Sequence, residues 1–411
     1  MTPSLEHHGP DDSPVLVELA DGRTIRGTAD DGFGRVVDEF AENYRHRGDL
    51  GSGCTVVIDG KPVVDIWGGV ADARNGCPWT HDSAAVIFSC SKGLLALCCY
   101  LLVDEGRLDV DLPVATYWPA FARNGKDEIT VRDALSHRAG LDALDRDLSR
   151  SDVIAWSPVT EAIEAQRPRF AARDGFAYHP ITYGWLIGEI IRQITGETPG
   201  RHFARRVADP LALDTWIGLP ETCRPRVAWM AAELPDDDSD EARLNAARFA
   251  SDPALARSAT MGGAFAFPSA DGHVTFNDPD LQAAEIPGAN GISSAPSLAR
   301  MYAATLGWPE LPPLITRGSI ENALVVRSEG PQLTGIANDG ARWGTGFQLS
   351  SPPAQPMLGP TSFGHAGAGG QLAFADLDHR VGFAYLSNQM GGYGDARAQQ
   401  LTIALRACLD S

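Results

Sequence analysis

The sequence predicts an α/β protein of the α+β kind, an antiparallel sheet flanked by helices with a mainly helical lobe inserted between the stretches that build the sheet. Three observations predict it. Strand patterns gather at the two ends of the 411-residue chain, helix patterns fill its middle, and the run Leu94–Val103 is apolar all round, as a helix buried inside a protein is.

Taken in order, residues 1–32 are polar and contain glycine; they are expected to form an N-terminal extension, an extended arm with a strand pattern at Pro14–Leu19. Gly34–His46 reads as a helix with Val36, Val37, Phe40 and Tyr44 near one face. Cys54–Ile58 and Pro62–Trp67 are apolar runs joined by Asp59-Gly60, a dipeptide that accepts the left-handed backbone of a tight hairpin. Helix signals run from Lys92 to Glu105, with Gly106 as the stop. Thr130 caps a short helix ending at Ala134–His137, Tyr183–Ile194 is a further helix closed by Gly196, and the acidic run Asp236–Glu241 reads as a solvated loop. Ser294–Leu306 is helical with Pro296 in its first turn. Strands are expected at Gly344–Leu349, Gln371–Ala375 and Val381–Leu386, the last two joined by a turn at Asp378-His379, and an amphipathic helix, Asp395–Leu409, closes the chain. The resulting division is a discontinuous sandwich from 33–84 and 340–411, and a mainly helical part over 85–339 with the active site where the two meet.

A formal charge of −19 opposes binding to nucleic acid or to anionic membranes. The longest apolar run, ten residues, is too short to span a bilayer. Seven cysteines, among them the neighbours Cys98 and Cys99, show neither metal-ligand spacing nor a paired framework, and read as reduced thiols of a cytoplasmic protein. Met1–Asp12 has no apolar core, so no secretory signal is expected. Neither a metal nor a cofactor is expected, and the oligomeric state is left open, homo-oligomer included.

The chemistry centres on Phe88-Ser89-Cys90-Ser91-Lys92-Gly93. On a helix, residues three apart share a face, so Ser89 and Lys92 can touch, and a serine beside an unprotonated amine is a nucleophile with its own base. Only Lys61, Lys92 and Lys126 are lysines among the 34 basic residues. With so few, about 0.2 accidental Ser-x-x-Lys matches are expected. A guanidinium holds its proton near neutral pH whereas a desolvated amine can release it, so a lysine in an arginine-dominated chain points to a task arginine cannot perform. Two further segments carry groups such a pair needs: Tyr178 in Phe176-Ala177-Tyr178-His179-Pro180, and His365-Ala366-Gly367-Ala368 ahead of the Gln371 strand. No Gly-x-Ser-x-Gly elbow occurs, which removes the α/β-hydrolase mechanism from consideration.

In order and spacing, Ser89-x-x-Lys92, Leu135-Ser136-His137-Arg138-Ala139-Gly140-Leu141, Tyr178, Asn290-Gly291 and His365-x-Gly367 together resemble the class C β-lactamase-like serine hydrolases, and most closely the family VIII carboxylesterases, from about Gly34 to the C-terminus. That resemblance implies the β-lactamase/penicillin-binding-protein-like fold and a two-step acyl transfer. Ser89 attacks a carbonyl, Lys92 and Tyr178 share the proton, and water then releases the acyl group. It also implies an oxyanion hole from the Ser89 and Ala368 N–H groups, with His365 and Gly367 on the substrate side; His179 and Asn290 are candidate substrate contacts, with backbone bonding as the alternative for His179 and a turn role before Gly291 as the alternative for Asn290. A nearby Lys92 ammonium is expected to depress the Tyr178 phenol. His137 is expected to bond backbone within its turn.

Two departures decide the expected substrate. Where lactam-cleaving relatives end the tyrosine motif in Asn, this chain has Pro180, which offers no side-chain donor. Where they open the third motif with Lys, it has His365, largely uncharged near neutral pH. Both weaken recognition of an anionic amide and leave ester cleavage intact, so the expected partner is a small to medium acyl ester. β-Lactamase or D-amino-acid peptidase activity, acyl transfer to another alcohol, and a silent binding protein on the same fold are the alternatives.

Overall fold

The computed structural model describes residues 12–232, 252–265, 273–333, 340–392 and 394–411. The acidic run Asp236–Glu241 and the first eleven residues lie outside them.

The frame is one sheet. Strands β1 (Asp12–Glu18), β2 (Thr24–Asp30), β3 (Gly51–Ile58) and β4 (Lys61–Asp72) come from the start of the chain. Strands β5 (Arg342–Trp343), β6 (Gln348–Leu349), β7 (Ser362–Gly367), β8 (Gln371–Asp376) and β9 (Val381–Ser387) come from its end. Their order is β1-β2-β4-β3-β9-β8-β7-β6-β5, with every neighbour antiparallel. The chain's two ends therefore meet at the β3–β9 pair, from Ser52 opposite Ser387 to Ile58 opposite Val381.

Strand alternation divides the side chains between two cores. On one face Val56, Ile66, Phe374, Phe383 and Tyr385 pack with helix α1 (Gly34–His46) and the C-terminal helix α5 (Arg397–Leu409), through Phe40, Leu401 and Leu405. On the other, Ala373, Ala375 and Ala384 are small. Helix α4 (Ala295–Leu306) comes down on them so closely that a Cβ on Gly382 would stand 2.5 Å from the Ala303 nitrogen. Between that face and the rest of the chain runs helix α2 (Ser91–Asp104), whose residues 91–102 are all buried. Helix α3 (Thr182–Thr195) ends at Gly196, held at φ +73°. No helix among the described residues is long and apolar enough to cross a membrane.

Three expectations change. The N-terminal segment is not an arm in its described part: β1 and β2 form a hairpin on the edge of the sheet, anchored by buried Ile25 and Ala29, and Gly27 lies against the Asp65–Ile66 backbone where no side chain would fit. Gly344–Leu349 yields only Gln348–Leu349 as strand, because Gly346, at φ +90°, turns to donate its N–H to Leu135 O at 3.1 Å. His365, expected only to precede the Gln371 strand, sits in a strand of its own, β7; its two glycines mask the strand pattern, and Gly364 is required because a Cβ there would meet Phe374 Cα at 2.5 Å.

Candidate active site

Phe88–Cys90 forms a single tight turn that runs into α2. Phe88 is left-handed at φ +45°, a strain of about 1–2 kcal/mol for a residue with a side chain. Ser91 holds the turn: its hydroxyl donates to Phe88 O at 2.5 Å and accepts from Gly291 N–H at 2.9 Å. From Ser83 to Leu102 every residue is buried except Ser89. The chain thus presents one hydroxyl at the mouth of an otherwise sealed segment.

Two side chains converge on that hydroxyl. Lys92 Nζ lies 3.0 Å and Tyr178 Oη 2.9 Å from Ser89 Oγ. Lys92 is fully buried, and its other two contacts are the carbonyls of Pro180 at 2.7 Å and Gly288 at 2.8 Å. Burial pushes its pKa down to about 7, and among the described residues no carboxylate is near enough to restore it. Carbonyl oxygens only accept hydrogen bonds, so the two of them fix two N–H groups of the amine. The third direction, toward Ser89, holds a proton in the ammonium and a lone pair in the neutral amine. Above about pH 7 that lone pair faces the serine proton.

Lys126 supplies an internal contrast. It too is fully buried, and burial pushes it down to about 8. Its amine, however, faces three carbonyls, Arg123 O at 2.7 Å, Glu164 O at 2.9 Å and Gln166 O at 2.6 Å. Those oxygens have no proton to give, so Lys126 ties together the end of a helix and has nothing to deprotonate.

The phenol differs from expectation. Burial holds Tyr178 above its ordinary pKa, only partly offset by its bond to the Ser89 hydroxyl. Lys92 Nζ stands 5.0 Å from the ring centroid, but its amine, brought to a pKa of about 7 by burial, loses its charge as pH rises through that value and does not offset the burial of the phenol. Tyr178 therefore acts as a neutral O–H, a donor to Ser89 Oγ, with Lys92 as the group that titrates in range. Trp343 stacks on it at 5.6 Å and 27°, His137 packs at 4.7 Å, and Gln332 Oε1 accepts from its backbone N–H at 2.6 Å.

Strand β7 closes the other side. His365 is buried, its Nδ1 donates to Ala366 O at 2.6 Å, and its Nε2 has no partner among the described residues. Burial, with a smaller contribution from Lys92, pushes its pKa down to about 3, so the ring is neutral. Gly367 lies so near the nucleophile turn that a Cβ would stand 2.5 Å from Ile87 O. Ala368, itself exposed, opens the turn that follows, and among the described residues nothing accepts its N–H. Ser89 N–H belongs to the first residues of a helical turn, whose amides have no partner within the helix.

Two candidate substrate contacts have their side-chain polar atoms committed to backbone. His179 is fully buried, donating from Nδ1 to Ala177 O at 2.7 Å and accepting at Nε2 from Leu141 N–H at 3.0 Å. Asn290 spends its amide inside its own loop, accepting from Ile286 N–H at 2.9 Å and donating to Leu281 O at 2.6 Å and Ala284 O at 2.7 Å. That knot shapes the loop that brings Gly288 O to Lys92. His137 accepts from His179 N–H at 3.2 Å, outside its own turn. Sequence reasoning passed over Ser91, although it stands within the motif, and over Trp343 and the Pro180 and Gly288 carbonyls, which backbone chemistry makes invisible in a residue pattern.

The profile of the beta-lactamase family matches residues 34–407. A Mycobacterium tuberculosis protein named Esterase/beta-lactamase LipL is 34% identical over 397 residues, covering 93% of this chain and 85% of that one. A solved family VIII carboxylesterase superposes with a TM-score of 0.81 at 32% identity, over 93% of this chain and 99% of its own. A penicillin-binding protein homologue from Caulobacter crescentus gives a TM-score of 0.78 at 34% identity, again over 93% and 99%.

Proposed function

The chain belongs to the beta-lactamase family of serine hydrolase-like proteins, and from that premise we propose that it is a carboxylesterase cleaving small to medium acyl esters through an acyl-enzyme on Ser89. The observation that carries the reading is the environment of Lys92: a buried amine with a pKa of about 7 whose one direction not taken by a carbonyl points at a serine hydroxyl 3.0 Å away.

In the proposed first step Ser89 Oγ bonds to the ester carbon while its proton passes to Lys92. The carbonyl oxygen gains negative charge that the Ser89 and Ala368 N–H groups stabilise, a contribution of about 3–4 kcal/mol per donor in comparable sites. As the carbon–alkoxide bond breaks, Tyr178 gives its proton to the departing oxygen and is refilled from Lys92. The phenol never rests as a phenolate, as its raised pKa requires. Water then repeats the sequence against the acyl-enzyme, leaving a carboxylic acid and free Ser89.

Preference for an ester over a lactam follows from what surrounds the nucleophile. The Pro180 carbonyl is committed to Lys92 and the residue has no side-chain donor, while His365 carries no charge for a substrate carboxylate. The relatives bear both activities in their names, so the decisive comparison is direct. Turnover of p-nitrophenyl butyrate should exceed that of nitrocefin by at least about 100-fold in kcat/KM, the equivalent of losing one charge-assisted contact of 2–3 kcal/mol. Cleavage of nitrocefin with the ester untouched would reverse the assignment.

A further inference from the structure

Behind the nucleophile lies a buried charged cluster that the proposed chemistry does not use. Asp49 and Arg397 are 2% and 1% exposed. Asp49 accepts from Ser52 Oγ at 2.7 Å and Tyr385 Oη at 2.6 Å on one oxygen, and from Ser387 Oγ at 2.6 Å and Arg397 Nη1 at 3.1 Å on the other. Asp395 holds the other edge of the guanidinium, its Oδ2 accepting from Nε at 3.0 Å and from Nη2 at 2.5 Å, and its Oδ1 from Nε at 3.1 Å. With two carboxylates the charge is already met, yet Nη2 also donates to Gly369 O and Gln389 O, each at 2.8 Å.

Gly369 is the middle of the turn Ala368-Gly369-Gly370 joining β7 to β8. Gly369 and Gly370 stand at φ +83° and +96°, a left-handed pair that only glycine adopts without strain. Such a turn has little stiffness of its own, and the direction of the Ala368 N–H depends on it. From the solvent side Ala368 is open; from the protein side the turn is clamped, because Gly369 O also accepts from Gly391 N–H at 3.3 Å and a Cβ on Gly370 would stand 2.9 Å from Arg397 Nη2.

We propose that Arg397 is a positioning residue for the oxyanion hole: held from one side by Asp49 and from the other by Asp395, it fixes the Gly369 carbonyl and so aims the Ala368 N–H at the reacting carbonyl. The inference rests on the acyl-enzyme reading above. A donor held in place before the reaction stabilises charge that develops only in the transition state, so loosening it lowers kcat and leaves ground-state binding alone.

The test is Arg397→Lys, which keeps a cation beside Asp49 but cannot reach Asp49 and Gly369 O together. With the circular dichroism spectrum retained, kcat for p-nitrophenyl butyrate should fall about tenfold or more, a share of the 100- to 1000-fold that a lost oxyanion donor costs, with KM unchanged. An alkyl trifluoromethyl ketone, which adds to the serine to form a stable oxyanion, should bind weaker by the same factor. Unchanged kcat, or a fall in kcat with undiminished ketone affinity, would overturn the proposal. If Arg397→Lys does not fold, Asp395→Asn, which frees the other edge of the guanidinium, is read by the same two measurements. A wild-type enzyme indifferent to both ester and ketone would refute the acyl-enzyme reading itself and not the role of Arg397.

Discussion

Replacing Lys92 with Arg should reduce ester turnover by about 1000-fold or more, within the range by which general-base catalysis accelerates a reaction, although the positive charge is kept. The loss follows from the proton inventory at the site. In the proposed mechanism Lys92 serves because burial brings its amine to a pKa of about 7, so that a lone pair becomes available to Ser89 as pH rises through that value. A guanidinium holds its proton throughout that range and has no lone pair to offer. It is also planar and longer, in a space bounded by the Pro180 and Gly288 carbonyls at 2.7 and 2.8 Å. The assay is steady-state hydrolysis of p-nitrophenyl butyrate on protein whose thermal transition shows that it is folded. Activity within tenfold of wild type would mean that the amine is not the base.

Ser89→Ala should abolish turnover, a fall of about 10⁴-fold or more, because the variant lacks the hydroxyl that the proposed acyl-enzyme is formed on. The fold should be unaffected: Ser89 is the one residue of its stretch that is not buried, and among the described residues its hydroxyl bonds only Lys92 and Tyr178. The turn is held instead by Ser91. A fluorophosphonate probe should label the wild-type protein on Ser89 and leave the variant unlabelled. Labelling of the variant at a comparable rate would move the nucleophile elsewhere.

Much of the fold was legible because its signals are local. The Asp59-Gly60 hairpin, the all-apolar α2 and the Gly196 stop of α3 each depend on a few neighbouring residues, and each lies where those residues indicate. The β1–β2 hairpin was not legible, since β2 shows only Ile25 and Ala29 to the core and gains its place by pairing with β4, about forty residues away in sequence. Strand β7 was hidden by Gly364, required by the backbone of Phe374, and by Gly367, required by the Ile87 carbonyl.

At the site, the meeting of Ser89, Lys92 and Tyr178 was legible from spacing and family resemblance. The division of labour between amine and phenol was not, because it depends on burial. The resemblance brings a lysine and a tyrosine together but does not show that desolvation lowers the pKa of the one and raises that of the other. For the same reason His179 and Asn290 looked like pocket residues, when their hydrogen bonds close entirely on backbone. Lys126 shows that scarcity of lysine alone does not mark a base, since a buried amine among three carbonyls is equally well kept.

The most direct measurement is the rate at which a fluorophosphonate inactivates the wild-type protein between pH 5 and pH 10, since it reports the reactivity of Ser89 without substrate binding or product release. An unprotonated Lys92 is required, so the rate should rise with pH as a single ionisation centred near 7, where burial places the amine, and then level off. A rate that does not change across that range, or one that rises only near pH 10 as an unperturbed amine or phenol would dictate, would contradict the assignment of Lys92 as the base that activates Ser89.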